Sequence, residues 1–225
     1  MSDKPFDHLE ANLRRVDLHN SYFHQKRVLL RLDNGDYQEW LEEKILPNTR
    51  LIIEPKIDGV AIALDYEAGT LVKAISRKGQ NKTDVIKTIR NIPLRLPIKI
   101  DIQIRGELYW PNLICSKSQI LSERNLRKKI PTGVGLRFCA FQIFNTDLNH
   151  SIQLVELKQL DFEIPESETT KRTSQVDLYV QLWKEGKLFK QYPTDGLVIK
   201  VNSRKLQKQL GENNVYSNWA YAVKR

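Results

Sequence analysis

The tetrapeptide Lys56-Ile57-Asp58-Gly59 follows an apolar run, Leu51-Ile52-Ile53, and comes directly after Glu54-Pro55. A lysine on the rim of a sheet, bracketed by carboxylates and followed by Asp-Gly, is a candidate nucleophile. A free lysine, with a reference pKa of about 10.4, is almost wholly protonated at neutral pH, so nucleophilic use requires neighbouring cations that release its proton. A solvated charged turn accounts for the same four residues. Two further lysines stand in apolar surroundings. Lys200 lies within Leu197-Val198-Ile199-Lys200-Val201, which reads as a buried strand. Lys224 closes Trp219-Ala220-Tyr221-Ala222-Val223-Lys224, where Ala220, Ala222 and Lys224 share one face opposite Trp219, Tyr221 and Val223. Small side chains beside a lysine leave room for something flat, and Ala61 and Ala63 form a similar face. The alternative for each is a strand-end lysine whose head snorkels to water. A third group, Arg105-Gly106-Glu107, can direct a guanidinium and a carboxylate into one cleft, or it is the solvated face of an edge strand.

The elements that must carry these residues follow from periodicity. Segments 60–66 and 70–76 predict two strands joined at Glu67-Ala68-Gly69 as a hairpin. Segment 98–109 alternates most clearly, with Ile98, Ile100, Ile102, Ile104, Gly106 and Leu108 on one face. Segment 136–144 predicts a strand buried on both faces. Thr194-Asp195-Gly196 reads as a turn before the strand that holds Lys200. Helices are expected over 11–19, 37–45, 83–92, 112–129, 151–160, 176–183 and 204–210. Residues 165–174 read as a polar loop. The 112–129 helix ends in a basic cluster, Arg124-Asn125-Leu126-Arg127-Lys128-Lys129, which the helix dipole alone would favour.

The chain has 225 residues, enough for one large domain or two small ones with a real core. Lys and Arg outnumber Asp and Glu by 36 to 27, a net charge of +9 that suits nucleic acid or a phosphate-rich substrate. Cys115 and Cys139 form no disulfide framework and no zinc spacing. The N-terminal MSDKPFDHLE has no apolar signal core, and no run approaches a membrane span. These features predict a reducing, cytoplasmic setting without membrane contact. His8, His19, His24 and His150 are scattered and read as solvated or structural.

The order of the motifs carries more than any one of them. Glu54-Pro55-Lys56-Ile57-Asp58-Gly59, Ser76-Arg77, Ile92-Pro93, Ile104-Arg105-Gly106-Glu107, Asp195-Gly196-Leu197-Val198-Ile199-Lys200-Val201-Asn202 and Trp219-Ala220-Tyr221-Ala222-Val223-Lys224 together resemble the adenylation domain of NAD-dependent DNA ligases. That domain belongs to the covalent nucleotidyltransferase superfamily. The resemblance covers about residues 28–225 and implies an α+β fold, antiparallel sheets flanked by helices around a nucleotide-binding cleft, preceded by a short extension, 1–27. It implies that Lys56 attacks the α-phosphate of the nucleotide to form lysyl-AMP, and that the adenylate then passes to the 5′-phosphate of nicked DNA, as in replication and repair. It further implies that Glu54 reads the adenine amino group and that Asp58 holds the ribose or orients the lysine. Arg77 would bind ribose and phosphate, Glu107 the ribose or a magnesium ion through water, and Lys200 and Lys224 the α-phosphate. Leu32 falls where the family places its adenine-contacting loop. NAD is the implied donor, with ATP as the secondary one, and Mg2+ the implied metal.

Several segments depart from the family pattern. Lys78-Gly79-Gln80 stands where a Gly-Asp-Gly loop is usual, and Arg124-Asn125 is what remains of N-P-R-N-A-A-A-G. The first 27 residues lack the paired tyrosines and aspartate of a nicotinamide-binding domain. The chain stops just after Lys224, where an OB-fold, a zinc module, helix-hairpin-helix repeats and a BRCT domain would follow. An excised or split ligase with a separate DNA-binding partner chain, or a minimal homologue, is therefore expected. The alternatives are a non-catalytic nucleotide- or DNA-binding module and an RNA ligase-like enzyme using ATP.

Overall fold

The computed structural model describes residues 31–111, 135–212 and 216–224. The expected N-terminal extension, the 11–19 helix and the 112–129 helix with its basic cluster lie outside the described residues. The described residues divide into two compact units, one drawn from 59–111, 135–148 and 152–164, the other from 31–58, 149–151, 165–212 and 216–224.

The first unit is built on a four-stranded antiparallel sheet formed by β3 (Val60–Glu67), β4 (Thr70–Ser76), β5 (Ile102–Tyr109) and β6 (Arg137–Ile143), in the order β4-β3-β5-β6. The expected hairpin is the β3–β4 pair. The regular part of the long alternating strand starts at Ile102, four residues later than predicted. Ile98 and Ile100 still reach the core while the chain bends over the hairpin, where Gly69 N–H donates to the Ile100 carbonyl. The predicted 83–92 helix is regular only in α2 (Thr83–Ile86). Beyond it the amides of Thr88 and Ile89 bond three residues back, and the Thr88 hydroxyl takes the Val85 carbonyl at 2.7 Å. That side-chain bond competes with helical pairing, and three-residue turns then put Ile86, Ile89 and Ile92 on one buried side. Most of α3 (His150–Gln159) also belongs to this unit. Phe162 meets Tyr66 and Phe138 edge-on inside the core. The polar face of β5 is not simply solvated. Arg105 is buried over the Phe144 ring, 3.6 Å from its centroid, and its Nε donates to Gln103, which in turn donates to Asp65. Gln142 stands opposite Arg105 on β6.

The second unit is built on a five-stranded sheet in the order β1-β9-β8-β2-β7. Its strands are β1 (Arg31–Asp33), β2 (Leu51–Ile57), β7 (Glu168–Thr170), β8 (Thr194–Val201) and β9 (Tyr216–Lys224). All pair antiparallel except β1 with β9. The supposed polar loop at 165–174 is corrected here: Glu168–Thr170 pairs with Leu51–Ile53 as an edge strand. Three residues with no apolar alternation leave little periodicity to read. The supposed turn at Thr194-Asp195-Gly196 is the start of β8.

The helices of this unit are held by identifiable contacts. In α1 (Tyr37–Lys44), the Asp36 carboxylate caps the Gln38 amide, and Trp40 stacks on Tyr221 of β9 at 5.3 Å while its indole N–H donates to the Asn218 carbonyl. In α4 (Thr173–Lys184), Val176, Val180 and Trp183 form the buried stripe expected of an amphipathic helix, and Trp183 donates to Thr194 at the start of β8. In α5 (Arg204–Leu210), Ser203 caps the first turn and Gln207 turns back to the Val201 carbonyl at the end of β8. Among the described residues no helix is long and apolar enough to cross a membrane.

Candidate active site

The second unit aligns four of the predicted residues by strand register alone. Residues directly opposite one another on neighbouring strands share a face. Lys56 on β2 is opposite Gly196 on β8, which is opposite Lys224 on β9. The next row on that face is Glu54, Val198 and Ala222, and the one after it is Ile52, Lys200 and Ala220. All three lysines and Glu54 therefore belong to one face, floored by Ala220 and Ala222. At about 3.4 Å per residue, rows two residues apart are separated by about 7 Å. Lys56 and Lys224 form one end, while Glu54 and Lys200 lie one and two rows away. The floor is kept low by the absence of side chains as well. A Cβ on Gly196 would fall 2.2 Å from the Val223 carbonyl oxygen and 3.4 Å from Lys56 Cδ.

Lys56 Nζ donates to both carboxylate oxygens of Asp195, at 2.5 and 2.6 Å. This partner is invisible to simple alternation, since Asp195 adjoins Gly196 and ought to face the other way. The register skips from Lys56↔Gly196 to Ile57↔Thr194, leaving Asp195 as the extra residue of a β-bulge. A bulge re-aims a side chain, and here the carboxylate reaches the Lys56 ammonium. The pair is partly open to solvent, with 24% of the Lys56 side chain and 42% of Asp195 exposed. Asp58 is tied back through its amide to the Pro193 carbonyl at 2.7 Å. Its own carboxyl is raised above the ordinary value, first by burial and then by the Asp195 charge, with Lys56 pulling the other way.

Glu54 and Lys200 form a second, deeper pair. Lys200 Nζ donates to Glu54 Oε2 at 2.6 Å, and both side chains are buried. The His150 ring completes the group, with Nε2 2.5 Å from Glu54 Oε1 and 3.4 Å from Lys200 Nζ. Burial alone would raise the Glu54 carboxyl. The Lys200 ammonium, then His150, outweigh it and hold Glu54 at about 2. His150 is pushed the opposite way from a charged state: burial first, then Lys200, lower its basicity. A deprotonated carboxylate only accepts, so His150 Nε2 carries the hydrogen and donates to Glu54.

The remaining predicted residues are distributed as follows. Leu32 is half-buried in β1, the strand flanking β9. Lys224 is exposed at the end of β9. Arg77 and Glu107 belong to the first unit. Arg77 follows β4, with its amide on the Ala61 carbonyl, and Glu107 stands opposite Ala61 on β5. Gly59 adjoins that row. A Cβ there would sit 2.3 Å from the Leu108 carbonyl oxygen and 3.0 Å from Glu107 Cγ, so the glycine of the tetrapeptide is required by close packing on β5. Among the described residues there is no group of three or more His, Cys, Asp or Glu side chains arranged to hold a metal ion. Asp195 and His150 are the two members of the group that sequence reasoning did not select.

Comparison with known proteins identifies the family. The chain matches the family model described as the NAD-dependent DNA ligase adenylation domain, over residues 18–117 and 115–225. It is 31% identical over 262 residues to a DNA ligase of Prochlorococcus marinus, covering 98% of this chain and 38% of that protein. A DNA ligase of Anoxybacillus flavithermus is 32% identical over 219 residues, covering 85% of this chain and 32% of the relative. The chain thus spans about a third of the length of the relatives it matches. Among solved structures, a Lig E DNA ligase described as binding DNA with a minimal scaffold superposes with a TM-score of 0.52 at 14% identity, covering 88% of this chain and 68% of that one. An archaeal ATP-dependent RNA ligase superposes with a TM-score of 0.53 at 15% identity, covering 80% and 46%. At such identities the likeness shows the fold alone, an α+β fold shared with these ligases.

Proposed function

The chain belongs to the NAD-dependent DNA ligase adenylation-domain family, and from that premise we propose that it transfers adenylate from NAD to Lys56 and onward to the 5′-phosphate of nicked DNA. The observation that carries this reading is the alignment of Lys56, Lys224, Glu54 and Lys200 on one face floored by alanines.

In the first step the Lys56 amine attacks the adenylate phosphorus. A P–N bond forms, the P–O bond to nicotinamide mononucleotide breaks, and that mononucleotide leaves. Asp195 is the nearest acceptor for the proton Lys56 must shed. Lys224, in the Lys56 row, is suited to meet the charge that builds on the phosphate. In the second step an oxygen of the DNA 5′-phosphate attacks the same phosphorus, a P–O bond forms, the P–N bond breaks, and the Lys56 nitrogen leaves as an amine, taking a proton back from Asp195.

The register supports a division of labour among the lysines. Lys200 was expected on the α-phosphate together with Lys224, but it lies two rows from Lys56 and is bound to Glu54, so we assign it to the base end of the nucleotide and leave the phosphate to Lys224. Glu54, an acceptor held ionised, suits an exocyclic amino group. Ala220 and Ala222 suit a planar base. Asp58 orients Lys56 or holds the ribose, and Leu32 borders the base. Arg77 and Glu107 are assigned to ribose, phosphate and metal. Magnesium is often held by one or two carboxylates together with substrate phosphates, a donor set to which Glu107 would contribute; when bound it would neutralise phosphate charge. The net charge of +9 suits DNA as acceptor. The short span relative to the relatives confines the proposal to adenylate transfer, with the DNA grip supplied by further domains or a partner chain. A cytoplasmic setting completes the reading.

The test is incubation with magnesium and either NAD or ATP, each radiolabelled in the adenylate phosphate, followed by denaturation. Label from NAD that stays with the protein is expected. No label from either donor would remove the enzymatic reading, and label from ATP alone would remove the NAD assignment. Asp195→Asn keeps the shape of the partner and deletes its charge. It should slow labelling by roughly 100-fold while changing the unfolding free energy by less than about 1 kcal/mol, because the pair is partly solvated. An unchanged rate of labelling would take Asp195 out of the mechanism.

A further inference from the structure

We propose that His150 is a positioning residue for nucleobase recognition, fixing the Glu54 carboxylate so that it is presented to the base. The inference rests on the assignment of Glu54 and Lys200 to the base end of the nucleotide, and it adds a residue from a different part of the chain.

Three observations carry it. First, His150 is 2% exposed, as buried as the Glu54 it faces. A histidine placed there must have a hydrogen-bonding role, since burying an unsatisfied ring nitrogen is costly. Second, its Nε2 takes one oxygen of Glu54 while Lys200 takes the other. With a donor on each oxygen, the carboxylate has no rotational freedom about its last bond without losing one of them. A carboxylate that must recognise a base is thereby oriented before the base arrives, which lowers the ordering cost of binding. Third, the backbone holds His150 in place independently of the ring. The His150 amide donates to the Asn202 carbonyl, the Ser151 amide to Asn202 Oδ1, and the Arg204 amide to Asn149 Oδ1. Asn202 itself donates to the Arg50 carbonyl beside β2. The first residue of α3 is thus anchored across the ends of β2 and β8, the two strands that carry Glu54 and Lys200. Changing the imidazole removes a donor from Glu54 and leaves this clamp intact.

The electrostatics agree with a neutral donor. Glu54 and Lys200 cancel as charges, so a neutral imidazole leaves the buried group balanced, whereas an imidazolium would add an uncompensated charge in low dielectric. Burial and the nearby ammonium both favour the neutral ring.

The experiment compares two labelled donors, NAD and its analogue with hypoxanthine in place of adenine, by the kcat/KM of covalent labelling. The analogue presents a carbonyl oxygen where adenine presents an amino group, so it opposes a carboxylate with another acceptor. Wild-type protein should prefer NAD. His150→Leu should raise the KM for NAD and reduce that preference by about tenfold. His150→Gln, whose amide N–H reaches the position of Nε2, should retain most of it, and His150→Asn, one methylene shorter, should not. Thermal unfolding of each variant reports whether it is folded, and the Gln–Asn contrast keeps the test decisive if the leucine variant is not. A purely structural role would lower labelling from both donors equally. If His150→Leu leaves the preference at its wild-type value while Glu54→Gln changes it, the role of His150 is overturned and the assignment of Glu54 stands. If Glu54→Gln also leaves the preference unchanged, the assignment of Glu54 falls and the proposal with it. Equal loss in the Gln and Asn variants likewise overturns it.

Discussion

Replacement of Lys56 by alanine or by arginine abolishes covalent labelling, with an expected loss on the order of 10⁴-fold or more, the scale seen when a nucleophile is deleted. Alanine removes the amine. Arginine keeps a cation of similar reach on the sheet face, yet the guanidinium stays charged in proteins and has no lone pair to offer phosphorus. The two substitutions therefore separate charge from nucleophilicity. If Lys56 served only to attract phosphate, the arginine variant would keep much of the function. Stability is a weak confounder, because the ion pair to Asp195 is partly exposed, and such pairs contribute about 1 kcal/mol or less. The measurement is label retained after denaturation, alongside an unfolding midpoint for each variant. Label on either variant at a rate near wild type would show that another residue carries the adenylate.

Why Lys56 was legible in the sequence and its partners were not comes down to the range of the signal. The tetrapeptide, the apolar strand before it and the alternation of 219–224 are local, and a period of two fixes which residues share a face. Ala220, Ala222 and Lys224 do lie together as predicted, and antiparallel pairing brings Glu54 and Lys56 onto the same face. Asp195 escaped notice because parity puts it on the wrong side, and only the bulge between Lys56 and Ile57 restores it. His150 escaped because its partner is 96 residues away in sequence, and a solitary histidine before an amphipathic segment carries no spacing that reveals a donor. The short edge strand at Glu168–Thr170 is likewise set by its partner Leu51–Ile53 rather than by its own residues. Arg105 shows the same limit. Its motif could be read as a cleft-facing guanidinium or as the solvated face of an edge strand; the structure places β5 inside its sheet and buries Arg105 over Phe144, which removes the second reading and which no local spacing could decide.

The largest effect on stability is expected at Glu54. Glu54→Leu takes away the carboxylate facing the buried Lys200 ammonium and should cost about 3–5 kcal/mol at pH 7, the usual consequence of breaking a buried pair on one side. Adding Lys200→Met should recover much of that loss, because two apolar groups leave no buried charge uncompensated, but labelling should not return. The pH dependence provides an independent check. The folded carboxyl titrates at about 2 against an ordinary 4.5, so the unfolded chain binds the proton more readily over that interval. The stabilisation is fully present above the unfolded value and is lost as pH falls from about 4.5 towards 2. A shift of that size corresponds to about 3 kcal/mol. His150, lowered from 6.5 in the fold, has the same sign: its contribution is present above 6.5 and declines as the pH drops below it. Urea unfolding at pH 7, 5 and 3 should therefore show wild-type stability falling through the acid range, with the gap to Glu54→Leu narrowing as the pH drops. A gap that stayed constant down to pH 3 would mean that Glu54 is not held ionised by Lys200 and His150. The oriented carboxylate proposed for base recognition would then lose its physical basis.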